Sequence, residues 1–315
     1  MTLAVKYRPK TFNDVVGQDH IINVLKKQIE LNKSKNAYLF TGASGCGKTT
    51  CARIFAELLN EGKLGITEKD VASNNYKENI LEIIEDCNKK PLFSKYKIYI
   101  LDEAHLFSSN GWSSLLKLLE EPPEYVKIIL CTTEPQKIFH TIFSRVQRFD
   151  FKTIDKANIA NRLECIIEQE YKDVWYCLDT LNYLSELSNG CMREAISLLE
   201  KCLDYSSGLD FKNIDYILNK VSKEDLHKLL TAIHTGKSDD IIKIFDKIDK
   251  SGIDIKEVVR SLITLLIEMI GDYNADFMQL LDNLLELQAN IKWENNSKDL
   301  VLGKFLVWSK YDRTK

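Results

Sequence analysis

Ala37-Tyr38-Leu39-Phe40-Thr41-Gly42-Ala43-Ser44-Gly45-Cys46-Gly47-Lys48-Thr49-Thr50 is the stretch on which the fold turns. An apolar, β-favouring run enters a glycine-spaced turn, and a helical pattern of Ala52, Ile54, Phe55, Leu58 and Leu59 leaves it. Gly42 to Thr49 fits G-x-x-x-x-G-K-[ST], the phosphate-binding loop. Gly42, Gly45 and Gly47 free the backbone N–H groups, that of Cys46 among them, to curl around phosphates. The helix starting near Thr50 turns its positive end toward the same place. Lys48 is expected to reach the β and γ phosphates of a nucleotide, and the Thr49 hydroxyl a Mg²⁺ ion. A glycine-rich turn with a chance lysine is the plain alternative, and the flanking strand and helix weigh against it.

Outward from the loop, the chain of 315 residues suits two or three domains. Charged residues make up 28% and hydrophobic residues 44%, an ordinary soluble composition. A net charge of −3 gives no global attraction to nucleic acid, so any DNA contact needs a local basic surface. The eight cysteines are scattered with no Cys-x-x-Cys pair, which favours reduced thiols in a cytoplasmic compartment over a zinc site. The longest apolar run, Leu262 to Ile270, is interrupted by Thr264 and Glu268 and is too short to span a bilayer, so no membrane association is expected.

All five prolines lie at or before Pro135, so everything from Gln136 onward can be almost wholly helical. The earlier part alternates helical patterns (Ile21–Leu31, Thr49–Leu59, Lys77–Asn88, Ser113–Glu120) with short β-rich runs. Expected strands are Ala37–Phe40, a short one near Lys69–Ala72, Lys97–Leu101, Val126–Cys131 and Arg148–Phe151, giving a parallel sheet between helices. After Phe151, helices are expected at Lys156–Tyr171, Val174–Ser188 and Met192–Asp204. From Asp210 helical patterns resume as Ile214–Asn219, Lys223–His234, Asp239–Lys250, Ile255–Asp272, Asp276–Asn290 and Leu300–Lys310.

Lys97-Ile98-Tyr99-Ile100-Leu101-Asp102-Glu103 is an apolar strand ending in paired carboxylates. Alone it is a common pattern. Downstream of an intact phosphate loop it predicts NTP hydrolysis, with Asp102 in the Mg²⁺ shell and Glu103 polarising the attacking water.

Further stretches carry a resemblance: Lys6-Tyr7-Arg8-Pro9 with Phe12, Val15-Val16-Gly17-Gln18, Asp102-Glu103-Ala104-His105, Leu119-Glu120-Glu121-Pro122-Pro123, Thr132-Thr133-Glu134-Pro135 and Ser144-Arg145-Val146-Gln147. In this order they resemble the AAA+ ATPase subunits of sliding-clamp loaders, the bacterial DNA polymerase III gamma/tau type, over residues 1 to about 205. The resemblance implies an α/β P-loop AAA+ ATPase domain with a parallel sheet (1–153), a helical lid (154–207) and an all-α collar that mediates oligomerisation (208–315). It assigns Arg8 and Val16 to the adenine pocket and Thr133 to the sensor of the γ-phosphate. Arg145 matches the arginine finger of the family's Ser-Arg-Cys motif, inserted into a neighbour's site, and Arg193 the second sensor on the lid. Either arginine could otherwise be a surface or packing residue.

There are departures. Asn60-Glu61-Gly62-Lys63-Leu64-Gly65-Ile66 stands where bacterial relatives carry a four-cysteine zinc module, so no zinc is expected. Val146 replaces the cysteine after the finger. The chain stops near the end of the collar without the longer relatives' tail, which suits a phage-encoded or minimal replication system, in a bacterium or an infected cell.

The resemblance further implies a homo- or hetero-oligomer, pentameric, around primer-template DNA, with ATP and Mg²⁺ as ligands. Candidate DNA contacts are Asn74, Asn75, Lys77, Ser108, Ser109 and Asn110, all of which read equally well as helix caps. Asn74 is also a candidate switch restraining Glu103. Leu92 and Phe93, in the loop before the Asp-Glu strand, are expected either to dock on the sliding clamp or to fold back onto their own core. Rival readings are another AAA+ DNA motor or remodeller, such as a branch-migration motor, and a non-hydrolysing stator. Intact Lys48, Thr49, Asp102 and Glu103 speak against the stator.

Overall fold

The computed structural model describes residues 1–72, 76–206, 208–269, 275–291 and 297–311, the side chains at 76–79, 81, 275, 276 and 311 excepted. Five strands, β1 (Ala37–Thr41), β2 (Ile66–Asp70), β3 (Lys97–Asp102), β4 (Val126–Thr132) and β5 (Gln147–Asp150), form one sheet in the order β2-β3-β4-β1-β5. Every pairing is parallel, with Leu39 opposite Leu130 and Arg148, and Ile100 opposite Ile129.

A parallel sheet needs helices on both faces, and its inner strands are apolar throughout rather than alternating. β1 and β4 accordingly are buried at every position. Tyr38 and Phe40 point into one core with Ile98, Ile100 and Ile129, against Ile21, Leu25, Ile54 and Phe55 of α2 (Asp19–Glu30) and α3 (Lys48–Leu59). Ala37 and Leu39 point the other way with Leu101 and Leu130, against Ile80, Ile83, Trp112 and Leu115 of α4 (Tyr76–Cys87) and α5 (Ser109–Glu120). Short helices α1 (Leu3–Lys6) and α6 (His140–Phe143) complete this part, and α7 (Lys156–Glu170), α8 (Leu178–Leu187) and α9 (Met192–Tyr205) follow β5.

Several expected boundaries shift, two of them for a clear reason. The second strand is Ile66–Asp70, not Lys69–Ala72. It is an edge strand whose register, Ile66 opposite Ile98, is set by β3, so its own residues are only half-buried and carry little apolar signal. The helix expected from Val174 begins at Leu178, because Cys177 and Thr180 cap it there. The expected helix end at 270–272 lies outside the described residues.

The chain divides into two units, Met1–Leu203 and Asp204–Lys315. The expected boundary after residue 153 falls within the first. The second unit is all helical: α10 (Phe211–Ile217), α11 (Lys223–Thr235), α12 (Ser238–Lys250), α13 (Ile255–Met269), α14 (Ala275–Ile291) and α15 (Ser297–Tyr311). Its core joins Leu229, Ile241, Phe245, Val258, Leu262, Leu284 and Phe305. Ser222 starts α11 by accepting the Asp225 N–H at 3.1 Å, and Gly236 ends it with φ +70°. Among the described residues no helix is long and apolar enough to cross a membrane.

Candidate active site

In an open parallel sheet, ligands bind beyond the carboxyl ends of the strands. There, the loop after β1 meets the ends of β3 and β4. A cleft open to solvent is lined by Arg8, Val16, Lys48, Thr49, Asp102 and Arg193, among others. Gly45, Cys46, Gly47, Thr50 and Glu103 also face it. Residues from the start of the chain, the loop, the end of β3 and the first turn of α9 thus share one space.

Two glycines of the loop leave no room for a side chain. A Cβ at Gly42 would lie 2.5 Å from the Phe151 carbonyl oxygen, where the chain leaves β5. Gly45 has φ +67° and lies so near α9 that a Cβ would meet Cys191 Sγ at 2.2 Å and the Arg193 backbone nitrogen at 3.4 Å. Lys48 is buried, and its ammonium donates to the carbonyl oxygens of Gly42 at 2.9 Å and Ala43 at 2.7 Å. Thr49 Oγ1 donates to Asp102 Oδ2 at 2.6 Å. A hydroxyl and a carboxylate, both hard oxygen donors, therefore converge where the loop meets β3, a donor set that fits Mg²⁺.

Glu103 takes the left-handed backbone conformation, φ 51°, which is uncommon for a residue with a side chain. Its Oε2 accepts a hydrogen bond from Thr133 Oγ1 at 3.2 Å. Thr133 is outside the cleft lining and connects to it through this carboxylate. Arg145 is separate from the cleft: its guanidinium donates to Glu120 Oε1 at 2.7 Å and to the Thr141 carbonyl at 2.8 Å. Ser108 caps α5 through the Gly111 N–H at 3.2 Å, with Ser109 and Asn110 exposed beside it. Asn74, Asn75 and the Lys77 side chain lie outside the described residues. Leu92 and Phe93 are 87% and 85% exposed and precede β3, toward the end of the sheet opposite the cleft, so they do not fold back onto the core.

The structure adds residues that sequence reasoning did not single out for the site. The buried Gln18 amide donates to the Cys46 carbonyl at 3.2 Å and the Lys152 carbonyl at 2.7 Å, and its oxygen accepts the Lys152 N–H at 3.3 Å. One side chain thereby ties the phosphate loop to the segment joining β5 and α7. Tyr7 lines the cleft, its hydroxyl donating to Glu170 at 2.6 Å and its carbonyl accepting from Arg162 at 3.2 Å. Burial and the Glu170 carboxylate push its phenol up to about 12, so it stays a donor at neutral pH. Their only sequence signal is membership of the Lys6–Pro9 and Val15–Gln18 motifs.

The family model described as DNA polymerase III, delta subunit, matches residues 17–77 and 65–155. DNA polymerase III subunit tau of Bacillus subtilis (strain 168) is 34% identical over 286 residues, covering 84% of this chain and 50% of the relative. DNA polymerase III subunit tau/gamma of Haemophilus influenzae is 34% identical over 268 residues, 78% of this chain and 39% of the relative. The chain thus spans half or less of these two proteins. DNA polymerase III subunit gamma of Buchnera aphidicola subsp. Schizaphis graminum is 31% identical over 321 residues, 94% of this chain and 88% of the relative. Among solved structures, the Thermotoga maritima RuvB Holliday junction branch migration motor superposes with a TM-score of 0.55 at 18% identity, over 72% of this chain and 79% of that one, a likeness of fold. With a relative of nearly its own length matched almost from end to end, the chain belongs to the DNA polymerase III gamma/tau family.

Proposed function

We propose that this protein is an ATP-hydrolysing subunit of a clamp loader, which opens a sliding clamp and loads it onto primer-template DNA during replication. The observation that supports this reading most is the meeting of Thr49, Asp102 and Glu103 at the mouth of the phosphate loop, with Thr133 on the Glu103 carboxylate. Adenine would lie against Arg8 and Val16, and the phosphates along the N–H groups of Gly45 to Thr50 with Lys48. Thr49 and Asp102 would hold Mg²⁺, partly through water, where it offsets phosphate charge. Glu103 takes a proton from the attacking water, and its neutral partner Thr133 leaves it able to do so. Arg193 reports on the phosphates from α9.

Residues 1–153 act as the nucleotide-binding domain, 154–207 as a lid and 208–315 as an oligomerising collar. Arg145, remote from its own cleft, serves the neighbouring subunit's nucleotide in trans, which calls for an oligomer, homo- or hetero-, of pentameric form. DNA phosphates would meet Asn74, Asn75, Lys77, Ser108, Ser109 and Asn110. Exposed Leu92 and Phe93 suit docking on the clamp. The turn at Asn60–Gly65 has no sulfur ligand and is closed by Asn60, whose amide donates to the carbonyls of Leu64 at 2.8 Å and Tyr96 at 2.9 Å; zinc has no part in the scheme. The site of action is the cytoplasm.

Steady-state ATP turnover with and without clamp and primed DNA tests the reading. Stimulation is expected only with both present, and Glu103→Gln should lower it about 100-fold or more while ATP still binds. A rate indifferent to clamp and DNA would overturn the assignment. In the same assay Leu92→Ala with Phe93→Ala should weaken the clamp's apparent affinity about tenfold or more.

A further inference from the structure

His105 lies in the short turn after Glu103, its side chain only 7% exposed, and each ring nitrogen faces a carboxylate. Nδ1 is 3.1 Å from Thr132 Oγ1 and 3.4 Å from Glu103 Oε2, and Nε2 is 3.2 Å from Glu134 Oε1. The far side of this bridge is itself fixed. Glu134 Oε1 takes the Lys137 ammonium at 2.9 Å, and the Glu134 N–H donates to Thr132 Oγ1 at 3.0 Å. The Lys137 charge holds the Glu134 carboxyl below its ordinary range, so it remains an acceptor for the imidazole across neutral pH.

Both contacts to the Glu103 carboxylate fall on the same oxygen. Thr133 and His105 meet Oε2, and among the described residues no hydrogen bond or ion pair is made by Oε1. The terminal torsion of a glutamate is broad and roughly two-fold, so a carboxylate held by nothing samples many orientations. A proton acceptor works only when its lone pair is aimed at the water it deprotonates. The Thr133 hydroxyl donating to Oε2 and the imidazole edge packed 3.4 Å from the same oxygen remove that freedom and leave the other oxygen to the water.

We propose that His105 is a positioning residue for Glu103: held between Thr132 and Glu134, its Nδ1 edge joins Thr133 in fixing Oε2, so that Oε1 is presented to the attacking water. This rests on the reading of Glu103 as the base in ATP hydrolysis. His105 is not among the residues lining the cleft and acts through the carboxylate alone.

Three variants in the clamp- and DNA-stimulated assay, each with its ATP affinity and melting temperature measured, separate the possibilities. His105→Leu keeps the buried volume and loses the polar bridge; kcat should fall between about 10- and 100-fold with ATP affinity unchanged. His105→Asn keeps an amide near the Nδ1 position and loses volume; it should recover most of the rate despite a lower melting temperature. Wild-type turnover in His105→Leu overturns the proposal, as does His105→Asn falling as far as His105→Leu, the order expected of a packing residue. Glu103→Gln is the control for the reading beneath it. If that variant keeps full turnover, the base assignment fails; if it is inactive while His105→Leu is not, only the positioning role fails.

Discussion

Gly45 shows how much a single residue carries. Its φ of +67° is strained for any side chain, and the space where a Cβ would go is filled by Cys191 Sγ at 2.2 Å. Phosphate loop and α9 can therefore approach only because this position has no side chain. Gly45→Ala must move the start of α9, and Arg193 with it, away from the loop. ATP affinity, read by titration with a fluorescent analogue, should drop about tenfold, with roughly 1 kcal/mol of stability lost to the backbone strain. Cys191→Ala in the Gly45→Ala background should restore part of the affinity, since it removes the clash and leaves the strain. An affinity equal to the parent's in Gly45→Ala would show that the loop and α9 need not touch.

At the scale of elements, β4 has an unusual member. Lys127 is a buried ammonium in the strand pairing β1 and β3, donating to Asn36 Oδ1 at 2.7 Å and the Ser34 carbonyl at 3.3 Å, with its nitrogen 4.8 Å from the Tyr96 ring centre. Burial, with a smaller push from Lys95, lowers it from 10.5 to about 8. A cation whose folded-state value lies below its unfolded one costs stability when both states are charged. Between about 8 and about 10.4 the folded state gives up its proton first and the unfolded state binds more protons, so stability rises with pH across that window. Lys127→Met removes the proton, and the difference in melting temperature between variant and parent should narrow from pH 7.5 to pH 10. The cost concerned is up to about 3 kcal/mol at neutral pH. A gap independent of pH would mean that the Asn36 and Ser34 contacts fully offset the burial.

For the molecule as a whole, the decisive feature is where Arg145 is. Its guanidinium is bound to Glu120 of α5 and lines no part of the cleft that holds Lys48. The role proposed for Arg145 in trans would make two kinds of defective subunit complementary. Lys48→Ala and Arg145→Ala proteins, each inactive alone with clamp and primed DNA, should regain turnover when mixed, because half of the hybrid junctions pair an intact loop with an intact arginine. Full activity in Arg145→Ala alone would place the finger's role elsewhere. The two units add a thermal corollary: ATP should raise the melting transition of the Met1–Leu203 unit, whose residues line the cleft, by linkage.

Much of this was legible in the chain. The Gly42–Thr50 spacing, the apolar strand ending in Asp102-Glu103 and the absence of proline after Pro135 specified a phosphate loop, its acidic partner and a helical remainder, because each is a local pattern with a local physical cause. Local patterns stop at contacts. The edge strand at Ile66–Asp70 was misplaced because its partner, not its composition, sets its register. Leu92 and Phe93 read as core or surface with equal ease until their place beside the sheet was known. Gln18, Tyr7 and His105 matter through partners far along the sequence, at Lys152, Glu170 and Glu134, and no spacing rule reaches that far. The chemistry of the site is written in neighbouring residues, whereas the aim of its carboxylate is decided by side chains that only folding brings together.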